Sequence, residues 1–128
     1  MVALNKRAVA VYLLDDDPSI LKATSRLLDS IGWTVNAFND PMMFLEQAET
    51  HSPDVAIIDI IMPEMSGLEV QTRLRRISPS TRVIMLTARD DPSVRRMAMN
   101  AGAYAFFIKG VESGEFLAGL EATADSIN

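Results

Sequence analysis

Cysteine is absent from the 128 residues, and histidine occurs once. Without thiols the chain has neither disulfides nor thiolate metal sites, and a metal bound here must take its ligands from oxygen. No apolar run approaches the 18 or so residues that a membrane-spanning helix needs. No charged head followed by an apolar stretch marks a leader, so the cytoplasm is the expected location. Basic residues are also short: 12 Lys and Arg against 17 Asp and Glu give a formal charge of −5. A domain that held nucleic acid by its own electrostatics would need the opposite balance. There is no low-complexity segment, repeat or linker. Residues 1–128 read as one domain, standing alone or forming the N-terminal part of a longer protein.

What is present is a steady alternation. The runs AVAVYLL (8–14), TVNAF (34–38), DVAIID (54–59), RVIMLT (82–87) and AYAFFIK (103–109) are apolar and rich in β-branched or aromatic residues, the mark of strands. Between them lie stretches with helical spacing. Ile20, Thr24, Leu27, Leu28 and Ile31 share one face, with Asp17 as cap, Pro18 in the first turn and Gly32 at the exit. A second helix enters through Pro41, a third stops before Pro79, a fourth runs from near Pro92 to Gly102, and a fifth carries Phe116, Leu117, Leu120 and Ala124. Continuously apolar strands separated by crossover helices imply an α/β fold with a parallel sheet covered on both faces. The expected architecture is a flavodoxin-like (βα)5 three-layer sandwich with strand order 2-1-3-4-5.

The polar residues gather at the C-terminal ends of those strands: Asp15, Asp16 and Asp17 after the first, Asp59 after the third, Thr87 after the fourth and Lys109 after the fifth. In open α/β sheets ligands bind beyond these ends where the strand order reverses, here between strands 1 and 3. Asp15, Asp16 and Asp59 would crowd one crevice and raise one another's pKa unless a cation intervenes. An all-oxygen, partly hydrated site suits Mg²⁺. With Lys109 and Thr87 beside it, such a crevice is fitted to phosphoryl oxygens, and Asp59 is placed to attack phosphorus and carry the group as an acyl phosphate. Plainer readings exist. Asp17 suits a helix cap better than a ligand, Thr87 serves as a strand-end hydroxyl, Phe106 as core, and His51 as a solvated loop residue. The methionines read as core filler, with Met97 and Met99 partly exposed.

Four motifs, LLDDDPSI (13–20), DIIMPEMSG (59–67), LTA (86–88) and IK (108–109), stand in the order and spacing of a known family. Over essentially its whole length the chain resembles the receiver domain of bacterial two-component response regulators, in style the LuxR/FixJ type. The resemblance implies that Asp59 accepts a phosphoryl group from a phosphohistidine on a sensor histidine kinase. Asp15 and Asp16 match the acidic pair, Asp16 being the more direct Mg²⁺ ligand, and the backbone carbonyl of Ile61 matches a further ligand. Thr87 matches the switch hydroxyl, Lys109 the lysine that pairs with the phosphoryl group, and Phe106 the aromatic switch that swings inward as Thr87 moves. Implied with these are self-directed phosphoryl chemistry with no enzyme activity on other substrates, a C-terminal output domain outside this chain, transcription regulation, and a homodimer formed on phosphorylation. Neither membrane nor direct nucleic-acid binding by this domain is expected.

One departure is visible: the family's lysine is usually followed by proline through a cis bond, whereas Lys109 precedes Gly110. A cis bond costs about 0.5–1 kcal/mol before proline and about 2.5–4 kcal/mol elsewhere. A trans bond is therefore expected, with Lys109 less firmly held and KGVESGEF (109–116) loose. Ile61 and Arg89, two positions beyond Asp59 and Thr87, flank the site and would tune the lifetime of the phosphoryl group. Two rival functions remain: a pseudo-receiver used only for docking, and a small Mg²⁺-dependent phosphatase with an Asp nucleophile. The phosphatase wants a late acidic pair that this chain lacks. A flavin carrier would need a Ser/Thr/Gly-rich loop in place of the carboxylates.

Overall fold

The computed structural model describes residues 8–110 and 113–127. Five strands and five helices alternate without exception. They are β1 (Ala10–Leu14), α1 (Pro18–Ser30), β2 (Thr34–Phe38), α2 (Pro41–His51), β3 (Val55–Asp59), α3 (Gly67–Ile77), β4 (Arg82–Thr87), α4 (Pro92–Asn100), β5 (Ala105–Ile108) and α5 (Ser113–Ile127). All strand pairings are parallel, and the order is β2-β1-β3-β4-β5, as the sequence pattern predicts.

Strand periodicity divides the core in two. Val11 and Leu13 of β1, Val55 and Ile57 of β3 and Ile84 of β4 point to the face covered by α1 and α5, where Leu28, Phe116 and Leu120 meet them. Tyr12 and Leu14, Ala56 and Ile58, and Met85 point to the other face, against Phe44 and Ala48 of α2, Val70 and Leu74 of α3 and Ala98 of α4. Both faces of β3 are sealed, so an unbroken apolar run is what the position demands. Each large aliphatic side chain buried there contributes about 1.5–3 kcal/mol. β2 lies at the sheet edge and is the most exposed of the strands, which fits its weaker apolar content.

Three helices start on the same dipeptide. Asp17-Pro18, Asp40-Pro41 and Asp91-Pro92 each place an aspartate at the N-cap and a proline at the first helical position. The Asp17 carboxylate accepts from Ser19 N at 2.8 Å, which makes it a cap. Asp91 Oδ1 accepts from Ser93 N at 2.9 Å and Val94 N at 3.4 Å. Asp91→Ala is expected to lower stability by about 1 kcal/mol, a loss that urea unfolding would read as a lower midpoint at unchanged slope.

The strand boundaries contract slightly: β1 begins at Ala10 and β5 at Ala105, and Lys109 stands just past β5. His51 is the last residue of α2, exposed, with Nδ1 3.2 Å from the Gln47 carbonyl oxygen. Met97 and Met99 are exposed, as expected, and so are Met42 and Met43. Among the described residues no helix is long and apolar enough to cross a membrane.

Candidate functional site

Strand order brings the ends of β1 and β3 together. Leu14 pairs with Ile58, so the residues that follow, Asp15 and Asp59, emerge side by side where the sheet's connections diverge to left and right. Asp15, Asp16 and Asp59 each offer a carboxylate oxygen, and these atoms all lie within 4.8 Å of one another. Asp15 and Asp59 are 1% and 3% exposed, whereas Asp16 is open to solvent.

Backbone amides fix the two buried carboxylates. Asp17 N donates to Asp15 Oδ1 at 2.9 Å, and Ile61 N to Asp59 Oδ1 at 3.3 Å. From β5, Lys109 reaches back across the crevice: its Nζ is 2.7 Å from Asp15 Oδ2 and 3.2 Å from Asp59 Oδ1. Asp15 Oδ2 is buried, with the Lys109 ammonium 2.7 Å away as its charged neighbour. Burial and then the charge of Asp15 push the Asp59 pKa up to about 6, against the lowering effect of Lys109. For Lys109, burial alone would lower the pKa. Close contact with Asp15 and the charges of Asp59 and Asp15 outweigh it and carry the pKa above its ordinary value.

One ammonium therefore serves two buried carboxylates with a third beside them. Among hard oxygen donors with no nitrogen or sulfur ligand, this excess of negative charge fits a divalent metal. The donor set and the raised pKa of Asp59 both point that way. Removing the lysine exposes the imbalance. In metal-free buffer Lys109→Ala is expected to melt below the wild type at neutral pH. The deficit should shrink as pH falls to about 6, because Asp59 without the lysine takes up its proton at a higher pH than in the wild type. A deficit of equal size at both pH values would contradict this electrostatic account.

The remaining predicted residues lie at the ends of β3 and β4 and within β5. Thr87 ends β4, is 1% exposed, and its Oγ1 accepts from Arg89 N at 3.3 Å. Ile61 is half-exposed at the mouth. Phe106 is buried in the α2–α4 face of the core, with the Arg95 guanidinium carbon 4.8 Å from its ring centroid. The ring faces inward in this structure.

The Lys109–Gly110 bond is not cis, in line with expectation. Gly110 has φ +87°, a conformation that an L residue rarely adopts and that proline, fixed near −65°, cannot. Glycine turns the chain here while Lys109 N remains bonded to Thr87 O at 2.6 Å. Val111 and Glu112, within the segment expected to be loose, lie outside the described residues.

Two contributors escape the sequence reading. Gly67 opens α3 so close to β3 that a Cβ would collide with the Asp59 carbonyl oxygen and lie 2.7 Å from Ile60 Cα. Its N–H donates to Ile60 O at 2.8 Å. The Ser-Gly pair at the end of DIIMPEMSG was the available signal. Arg95 over Phe106 had none, because it depends on the packing of α4 on β5.

A family model described as the response regulator receiver domain matches residues 11–121. Among curated proteins, the response regulator protein TodT of Pseudomonas putida is 35% identical over 119 residues, 93% of this chain and 52% of that protein. Response regulator MprA of Mycobacterium ulcerans is 33% identical over 115 residues, 90% of this chain and 50% of its own length. The chain thus spans about half the length of the curated relatives it matches. A solved CheY-like receiver domain protein from Methanospirillum hungatei superposes with a TM-score of 0.87 at 26% identity, covering 94% of this chain and 96% of that one.

Proposed function

The chain belongs to the response regulator receiver domain family, and from that premise we propose that it is a phosphorylation-controlled switch whose acceptor is Asp59. The observation that carries the proposal is a buried aspartate of raised pKa, held at a strand end between a second carboxylate and a lysine. Ionised Asp59 attacks the phosphorus of a phosphohistidine on a sensor histidine kinase. A bond forms between a carboxylate oxygen and phosphorus, the phosphorus–nitrogen bond breaks, and the imidazole leaves with the electron pair. Lys109, already bridging Asp15 and Asp59, is placed to neutralise the added phosphoryl charge, and the Thr87 hydroxyl to donate to it.

Asp16, Asp59 and the Ile61 carbonyl, with Asp15 behind them, would hold the cation; Mg²⁺ is the ion that hard oxygen donors favour, and it supplies charge neutralisation. Ile61 and Arg89 stand where they would steer water and set the lifetime of the acyl phosphate. We extend the proposal to Phe106 as the reporter of Thr87, to an output domain, as in regulators twice this length, and to a cytoplasmic setting. The chain is proposed to catalyse its own phosphoryl transfer and loss and no other reaction.

Incubation with a small phosphodonor and Mg²⁺ tests this reading. The expected product is a stoichiometric, acid-stable, base-labile adduct. Sustained turnover of a phosphomonoester would favour the phosphatase instead, and inertness in both assays would favour a docking module.

A further inference from the structure

We propose that the outer groove between α2 and α3 is a self-complementary docking face for a second copy of this chain. The groove holds about 600 Å³ and is floored by Met42, Leu45 and Ile77. Met42 and its neighbour Met43 are 53% and 57% exposed, the most exposed large apolar side chains on α2 and α3. Flexible thioethers suit a surface that must fit a partner.

The walls carry opposite charges. Glu46 and Glu49 line the groove from α2, and Arg73 and Arg76 line it from α3. Arg73 is partly engaged, by Glu69 at 2.8 Å. Among the described residues, Glu46, Glu49 and Arg76 have no ion pair. The acidic wall does not spend its charge on the basic one.

This pattern selects one arrangement. Both helices connect strands of one parallel sheet, so they run in the same direction. Glu46 and Glu49 lie five and eight residues beyond Pro41, the first residue of α2, and Arg73 and Arg76 six and nine beyond Gly67, the first of α3. The two pairs thus fall at comparable turns of parallel helices. A two-fold axis lying along the groove sets α2 of one copy on α3 of the other. Glu46 and Glu49 then meet Arg73 and Arg76 twice over, around a shared methionine floor. A two-fold axis across the groove would place acid on acid and base on base, which disfavours that alternative. Complementarity of charge thus names a second copy as the occupant.

Charge exchange is the test, read by sedimentation velocity across micromolar to millimolar protein at low salt. The wild type is expected to dimerise, and more weakly as salt is added. Glu46→Arg with Glu49→Arg, and separately Arg73→Glu with Arg76→Glu, should each weaken self-association by about tenfold or more. An equimolar mixture of the two variants should recover a species of twice the monomer mass. The proposal is overturned if the mixture stays monomeric, or if each variant alone associates as tightly as the wild type. Arg and Glu are both good helix formers at exposed positions, and circular dichroism melts verify folding. Should either double variant fail to fold, Glu49→Arg and Arg76→Glu form a milder pair read in the same way.

Discussion

Asp59→Asn is expected to abolish phosphoryl uptake and, at the same time, to make the metal-free protein more stable at neutral pH. The first effect follows from chemistry: an amide is too poor a nucleophile to take the place of the carboxylate. The second follows from linkage. The folded-state pKa of about 6 lies above the ordinary 3.8, so the folded protein binds this proton more tightly than the unfolded chain does. Stability therefore falls as pH rises from about 4 to about 6, and the full penalty is present above that. Two pKa units correspond to about 3 kcal/mol. The crevice opens to solvent through Asp16, and screening reduces the figure to about 1–2 kcal/mol. Asparagine keeps the shape and removes the titration, while Lys109 retains Asp15 as a partner at 2.7 Å.

Thermal melts without metal should thus place Asp59→Asn above the wild type near neutral pH, by about 3 °C or more. The gap should close near pH 4. Millimolar Mg²⁺ should narrow it from the other side, because a cation held by the carboxylates stabilises the wild type by mass action. A variant less stable than the wild type at neutral pH would show that Asp59 is held by favourable contacts and carries no electrostatic penalty.

Gly67→Ala is expected to produce the other large effect, though residue 67 touches no substrate. The new methyl group would run into the carbonyl oxygen of Asp59 and crowd Ile60 Cα, both backbone atoms without freedom to rotate away. Relief requires α3 to lift or the end of β3 to move. Overpacking of this kind costs about 1–3 kcal/mol or more. The gain in helix propensity from glycine to alanine, at most about 1 kcal/mol, does not offset it at the first helical position. Because the displaced atoms carry Asp59, phosphoryl uptake should slow as well, by about tenfold or more for a shift approaching 1 Å. Urea unfolding and the rate of adduct formation at low temperature check the two effects separately. A Gly67→Ala protein with native stability and rate would mean that α3 docks on β3 more loosely than the structure shows.

The legibility of the fold in the sequence has a physical basis. β3 and β4 are sealed on both faces, so their runs are apolar without interruption. The Asp-Pro pairs at 17–18, 40–41 and 91–92 mark helix starts by their own local chemistry. Asp15, Asp59 and Lys109 were legible as a group because parallel strands deliver every C-terminal end to one rim. What stayed hidden depends on distances between elements. The clearance at Gly67 is set by how closely α3 approaches β3, and Arg95 lies on Phe106 only through the crossing of α4 and β5. The partners of Lys109 depend on distances of the same kind: its ammonium lies 2.7 Å from Asp15 and 3.2 Å from Asp59, with a turn at Gly110 after it.

The central claim is that Asp59 itself carries the phosphoryl group. Treating the phosphodonor-labelled protein with borohydride reduces an acyl phosphate to the alcohol and marks its position permanently, and peptide mass spectrometry then locates the mark. The account predicts a single modified residue, homoserine in place of Asp59, in amounts that depend on added Mg²⁺. A mark at Asp15, Asp16 or any other residue, or none from fully folded protein, would contradict it.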